Sequence, residues 1–165
     1  MMDEFFVPLI WVHVQQHQRA VRKLGPKERT CKKVRESLNA CILKWSDGPA
    51  SMISKKALEF FETRFPHIDP RKINWHQKYL LGKDDGKRGN LVWEHTTPVN
   101  LLLNDLLVAS SRKEVEEILN NYSGVCLITR GEDDLLNANK MRTVRPGGWE
   151  KCYEACGIEV VRWDI

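Results

Sequence analysis

Leu91–Val92–Trp93–Glu94–His95–Thr96–Thr97–Pro98 is an apolar strand pattern that ends on an acid and an imidazole, then meets a threonine and a first-turn proline. That order, strand into capped helix, decides the class of fold. The helix opened by Thr97–Pro98 carries Leu101, Leu102, Leu103, Leu106 and Leu107, and Ser111 caps a further helix through Asn120. Val125–Thr129 is a short continuous apolar run, the signature of a strand covered on both faces. A helix follows it from about Gly131 to Lys140. Pro146–Gly147–Gly148 precedes another helix, ended by Gly157, and Ile158–Trp163 closes the sheet. Upstream of the opening stretch, Lys72–Leu81 reads as a strand joined to Asn90–His95 by the turn-rich, basic loop Gly82–Gly89.

The N-terminal part follows a different period. Ile10, Trp11, Val14, Val21 and Leu24 fall at helical spacing, with Pro8 in a first turn and Gly25–Pro26 as a stop. Val34, Leu38, Cys41, Ile42 and Trp45 repeat the three-four pattern until Asp47–Gly48–Pro49 breaks it. Ser51 or Ser54 caps a third helix, whose buried stripe is Ala57, Leu58, Phe61 and Phe65. The expected class is therefore α+β: an N-terminal helical bundle-like region packed on a small mixed sheet with helices. At 165 residues and 42% apolar composition the chain is expected to form one domain, with a basic helical subregion over 1–70 and an α+β subregion over 71–165 that carries the chemistry.

Charge narrows the classes of function. Lys plus Arg number 26 against 22 Asp plus Glu, and a net charge of +4 is too small for a protein whose whole surface binds polyanions. The excess is local. Arg19, Arg22, Lys23, Lys27, Arg29, Lys32, Lys33, Arg35 and Lys44 face only Glu28 and Glu36 over their stretch. Arg71–Arg88 adds six basic residues, Lys83, Lys87 and Arg88 among them, with Trp75 and Tyr79 interleaved. Cations displace condensed counterions from a phosphate backbone and flat rings stack on bases, so these stretches suit nucleic acid; a solvated helix face and a core tryptophan are the plain alternatives. The apolar run Phe5–Val12 is shorter than the ~20 residues of a membrane span, and five cysteines cannot all pair within one chain. A cytoplasmic protein with no membrane partner is expected.

The string Trp93–Glu94–His95–Thr96–Thr97–Pro98 resembles the acidic-His-x-x-Pro opening of the HNH, or ββα-metal, nucleases. The resemblance covers about residues 89–140. It implies that His95 is the general base that activates water and that Glu94 is a ligand of a single metal ion, Mg2+ or another divalent cation, which stabilises the phosphorane charge and the leaving oxygen. The family continues with a second strand and a helix that supplies a further ligand; here these are Val125–Thr129 and one of Asp133, Asp134, Asn137 or Asn139. Glu94 and Asp133 are the expected metal ligands, with Asn137 as a third catalytic residue. The expected nucleic-acid contacts are Arg19, Arg22, Lys23, Lys32, Lys33, Arg35, Lys83, Lys87, Arg88, Lys140 and Arg142. A metal-dependent endonuclease acting on DNA rather than RNA is the leading expectation, with a homodimer as an expected assembly. A non-catalytic nucleic-acid-binding or regulatory interaction protein is the rival.

Each of these residues also has a structural role open to it. Neighbours on a regular strand point to opposite faces, so Glu94 and His95 share a centre only if a bulge or strand end turns them together. Thr129 and Glu132 match a capping box, and Asp133 and Asp134 would stabilise a helix start through its dipole. His13 and His17 stand four apart on one helix face, where a zinc site would need a third ligand. Cys31, Cys41, Cys152 and Cys156 are expected as small buried hydrophobes rather than a thiolate site. No P-loop, GxGxxG or G-x-S-x-G string is present.

Overall fold

The computed structural model describes residues 2–77, 89–122 and 124–163. In chain order the elements are α1 (Met2–Leu24), α2 (Arg29–Trp45), β1 (Met52–Ser54), α3 (Lys55–Arg64), β2 (Leu91–His95), α4 (Val99–Val108), α5 (Arg112–Asn120), β3 (Val125–Thr129), α6 (Arg130–Ala138), α7 (Trp149–Ala155) and β4 (Val160–Arg162). The class is α+β. Contacts divide the chain into two compact units, each built from two segments: a helical unit of residues 1–46 and 99–123, and a sheet unit of residues 47–98 and 124–165. Residues 47–70, read above with the N-terminal helices, belong to the sheet unit.

In the helical unit the core is one stripe from each helix: Val7, Ile10 and Val14 of α1, Leu38 and Ile42 of α2, Leu102, Leu103 and Leu106 of α4, and Val115 and Leu119 of α5. These are the three- and four-residue spacings that put apolar groups on one helix face. Helix α1 starts six residues earlier than Pro8, so the proline lies inside it rather than in its first turn. The interior proline deprives the Glu4 carbonyl of its intrahelical donor. Ser111 caps α5, its hydroxyl accepting from the Glu114 N–H at 3.2 Å.

The sheet has the order β2-β3-β1-β4. Strands β1 and β3 are parallel, while β2 pairs β3 and β4 pairs β1 in antiparallel fashion. One face packs Ile53, Leu91, Trp93, Val125 and Leu127 against Ala57 and Phe61 of α3 and against Ile73. The other packs Met52, Cys126 and Ile128 against Leu136 of α6 and Trp149 and Tyr153 of α7. Strand β3 is buried from Val125 through Ile128, as its unbroken apolar run requires.

The strand expected over Lys72–Leu81 is not found in its described part. Residues Pro70–Lys72 form a 3-10 turn and residues 75–77 are helical. Local side-chain bonds explain the difference: Asp69 accepts from the Arg71 N–H at 3.0 Å, and Asn74 accepts from the His76 N–H at 3.0 Å, which holds the backbone in turns. Among the described residues β2 pairs with β3, reached through α4 and α5. Trp75 packs edge-on to Trp93 with ring centroids 6.5 Å apart, the role of a core residue.

Gly124 starts β3 with φ +92°, and its carbonyl accepts from both the Thr96 N–H (3.2 Å) and hydroxyl (2.9 Å). A Cβ there would run into the Ser51 hydroxyl. Gly124→Ala is expected to lower stability by about 1–3 kcal/mol, through the left-handed backbone and the clash together. Urea unfolding checks this; an unchanged midpoint would contradict it.

Candidate functional site

The pairing of β2 with β3 runs without a break from Leu91 opposite Thr129 to His95 opposite Val125, and the Thr96 N–H continues it to Gly124. With no bulge, Glu94 and His95 project to opposite faces. His95 lies on the face of Trp93. Glu94 lies on the face of Cys126, beneath α6 and α7. The expectation that the two side chains serve one centre is thus corrected by the register: the regular pleat leaves nothing to turn them together.

On its own face Glu94 has company. Arg145 donates from Nη2 to Glu94 Oε1 and from Nε to the Thr96 carbonyl at 3.2 Å. The two side chains are 5% and 13% exposed, so this is a buried ion pair rather than a surface one. Burial pushes the Glu94 carboxyl up from 4.5 to about 7; Arg145 opposes that, the Asp133 charge adds to it, and the Arg142 charge opposes it. Desolvation therefore outweighs even a bonded guanidinium. Arg142 is exposed. Tyr153 completes the floor. It is 1% exposed, its hydroxyl lies beside the Cys126 thiol, and it makes no well-formed hydrogen bond among the described residues. Burial drives the ionisation of both Tyr153 and Cys126 upward, so Cys126 is an inert thiol and no nucleophile.

The start of α6 explains the other acids. Thr129 accepts from the Glu132 N–H, and Glu132 Oε2 accepts from the Thr129 N–H at 2.8 Å and the Thr129 hydroxyl at 2.9 Å, a complete capping box. The same oxygen accepts from the Ser54 hydroxyl at 2.6 Å, while Ser54 accepts from the Ala57 N–H and so caps α3. One carboxylate thereby joins the N-caps of two helices across β1 and β3. Glu132→Ala removes an acceptor from three buried or half-buried donors and is expected to cost about 2–4 kcal/mol by chemical denaturation. A loss within 0.5 kcal/mol would contradict the shared cap. Glu132 is a structural residue.

Asp133, one position on, is buried and accepts from Arg130 Nη1 at 2.9 Å. Its charge is one of the influences that raise Glu94. Asn137 is half-buried one turn further along the same side of α6, whereas Asp134, Asn139 and Lys140 are exposed. Among the described residues no group of three or more His, Cys, Asp or Glu gathers in a metal-binding arrangement. His13 donates from Nδ1 to the Leu9 carbonyl at 2.9 Å, and the cysteines are free thiols.

Arg19, Arg22, Lys23, Lys32, Lys33 and Arg35 are all exposed on α1 and α2 of the helical unit. Arg35 also donates to Asn104 Oδ1 at 2.8 Å. Lys83, Lys87 and Arg88 lie outside the described residues. Arg145 is the residue that the sequence reading missed. Its only signal was its place before Pro146–Gly147–Gly148, which marks a turn but not a partner 51 positions away. No helix among the described residues is long and apolar enough to cross a membrane. Comparison of the chain with protein-family models, with curated proteins and with solved structures finds no match.

Proposed function

We propose that the face formed by β2, β3 and α6 is the centre of a nucleic-acid endonuclease that hydrolyses phosphodiester bonds. The observation that supports this reading is the buried Glu94–Arg145 pair on one face of an antiparallel strand pair, with α6, which carries Asp133, following β3 directly. The HNH resemblance implies strand, strand and helix in that order, here with α4 and α5 inserted between the two strands. A carboxyl held near neutrality among opposed charges is also the environment in which proton transfer is most effective.

Glu94, rather than His95, is the group on this face able to take a proton from water at physiological pH. Arg142, exposed, is the cation offered to the scissile phosphate, while Arg145, buried and bonded to Glu94 and the Thr96 carbonyl, holds Glu94 in place. Asp133 and Asn137 offer hard oxygen donors of the kind Mg2+ accepts, and would hold it once Arg130 exchanges for it. A divalent ion bound there would polarise a phosphoryl oxygen. His95 lies on the other face of the strand. DNA as the substrate and a homodimer for cutting both strands belong to the same proposal.

The second reading, a nucleic-acid-binding protein without catalysis, is favoured by the exposed cations of α1 and α2. Cleavage of plasmid, linear duplex and single-stranded DNA in Mg2+, with a chelator control, separates the two. The endonuclease reading expects metal-dependent nicking that falls at least tenfold in Asp133→Asn and Arg142→Ala, with His95→Ala less affected. Salt-sensitive binding with no cleavage in any metal would contradict it and leave the binding reading.

A further inference from the structure

The helical unit carries a feature that backbone binding to nucleic acid does not use. Gln18 of α1 donates from Nε2 to the Leu107 carbonyl at 3.2 Å and to the Ala109 carbonyl at 2.8 Å. These are carbonyls at the C-terminal end of α4, which have no intrahelical donors. The bonds fix the end of α4 against α1 and leave a groove of about 600 Å³ beside them. Its floor is aliphatic: Val21, Leu107 and Val108. Val108 is 77% exposed, more than any other large hydrophobic residue among those described.

The rim is basic. Arg22 lines the groove, and Arg19 and Lys23 are exposed on the same helix. His17, also in the lining, is held below its ordinary value by partial burial and by the Arg35 charge, so another cation lies close to that end. Arg112 and Lys113 are exposed in the first turn of α5, just after the lining residue Ser110. Of the two acids nearest in sequence, Asp105 is exposed on α4, and Glu114 accepts from the Ser110 N–H and hydroxyl, both at 2.7 Å, so that these two face Arg19, Arg22, Lys23, Arg112 and Lys113.

We propose that this groove docks an acidic amphipathic helix of a partner protein, with aliphatic side chains on Val21, Leu107 and Val108 and carboxylates against Arg22 and its neighbours. Two properties favour a peptide over a nucleic acid here. Bases bind by stacking on rings, and the lining holds no Phe, Tyr or Trp. Aliphatic anchors at helical spacing flanked by acids match an aliphatic floor with a cationic rim.

The test uses the full chain and a fluorescein-labelled peptide of about 16 residues, with leucines along one helical face and glutamates elsewhere. Its controls are a scrambled peptide of the same composition and a short DNA duplex. Anisotropy is expected to show the amphipathic peptide binding at least about tenfold more tightly than the scrambled one. Val108→Glu, at a site too exposed to affect folding, and Arg22→Glu are each expected to weaken it about tenfold, with the far-ultraviolet spectrum unchanged. Equal binding of both peptides, or indifference to Val108→Glu, would overturn the proposal. So would displacement of the peptide by the duplex together with duplex binding that ignores Val108→Glu, since the surface would then serve nucleic acid. None of these outcomes depends on Glu94 or on cleavage.

Discussion

Arg145→Ala is expected to destabilise the sheet unit by about 2–3 kcal/mol at pH 8, because Glu94 must then hold its proton at a pH where the wild type has released it, and its hydrogen bond to Arg145 is lost. The Thr96 carbonyl also loses its donor from Arg145 Nε. The loss depends on pH, and its sign is fixed by the direction in which Glu94 is shifted. Its folded value of about 7 lies above the ordinary 4.5, so the folded chain holds that proton more tightly than the unfolded one. The contribution of the site to stability is therefore fully present below about pH 4.5 and falls as the pH rises through 7. The span corresponds to about 3 kcal/mol. Removing Arg145 takes away an influence that favours the charged form, so the variant holds the proton more tightly still. At pH 5.5, where Glu94 is neutral in both proteins, the cost of the substitution shrinks towards that of one hydrogen bond, about 1 kcal/mol. Urea unfolding at the two pH values measures this. A cost equal at pH 5.5 and pH 8 would show that Arg145 does not compensate Glu94. Replacing both residues by apolar ones of similar size, Glu94→Leu with Arg145→Met, is expected to recover much of the loss.

How far the sequence could lead depends on the range of the interaction in question. Features set within four residues were legible. Thr129 with Glu132, Ser111 ahead of Glu114, and Ser54 ahead of Ala57 are caps whose partners sit three positions away, and each forms as read. The apolar run of β3 was legible because a strand buried on both faces leaves no polar alternation to misread. Strand β1 was not: three residues between the Pro49 break and a helix cap are too few to show any period. The strand read over Lys72–Leu81 was misjudged in its described part, residues 72–77, for the opposite reason. A plausible alternation was overruled by Asp69 and Asn74, whose side chains satisfy the nearby backbone in turns.

For the candidate site, the alternation rule already stated that Glu94 and His95 part company on a regular strand. Only the register, which a single sequence does not contain, could decide whether the strand was regular there. The assembly of each unit from two distant segments was hidden in the same way. Arg145 was invisible because its identity as a partner comes entirely from where β2 and the loop before α7 meet.

The proposal that Glu94 is the proton acceptor makes its replacement the second large effect. Glu94→Gln keeps the shape of the side chain and an oxygen for Arg145, and it removes the ionisation. Loss of a general base costs typically about 10²–10⁴-fold in rate. The wild-type rate is expected to rise with pH through about 7 as Glu94 gives up its proton, and then to level. The Gln variant should lose that rise along with the rate. A structural role for Glu94 would act on folding and leave the shape of the pH profile intact. The decisive measurement is accordingly the Mg2+-dependent cleavage rate of a DNA duplex from pH 5.5 to 8.5, for wild type and for a Glu94→Gln protein shown to be folded by circular dichroism. Cleavage that climbs through neutrality and falls at least a hundredfold in the variant is the predicted result; a wild type that does not cut, or a variant that cuts as well with the same profile, would contradict the assignment of this face as a hydrolytic centre.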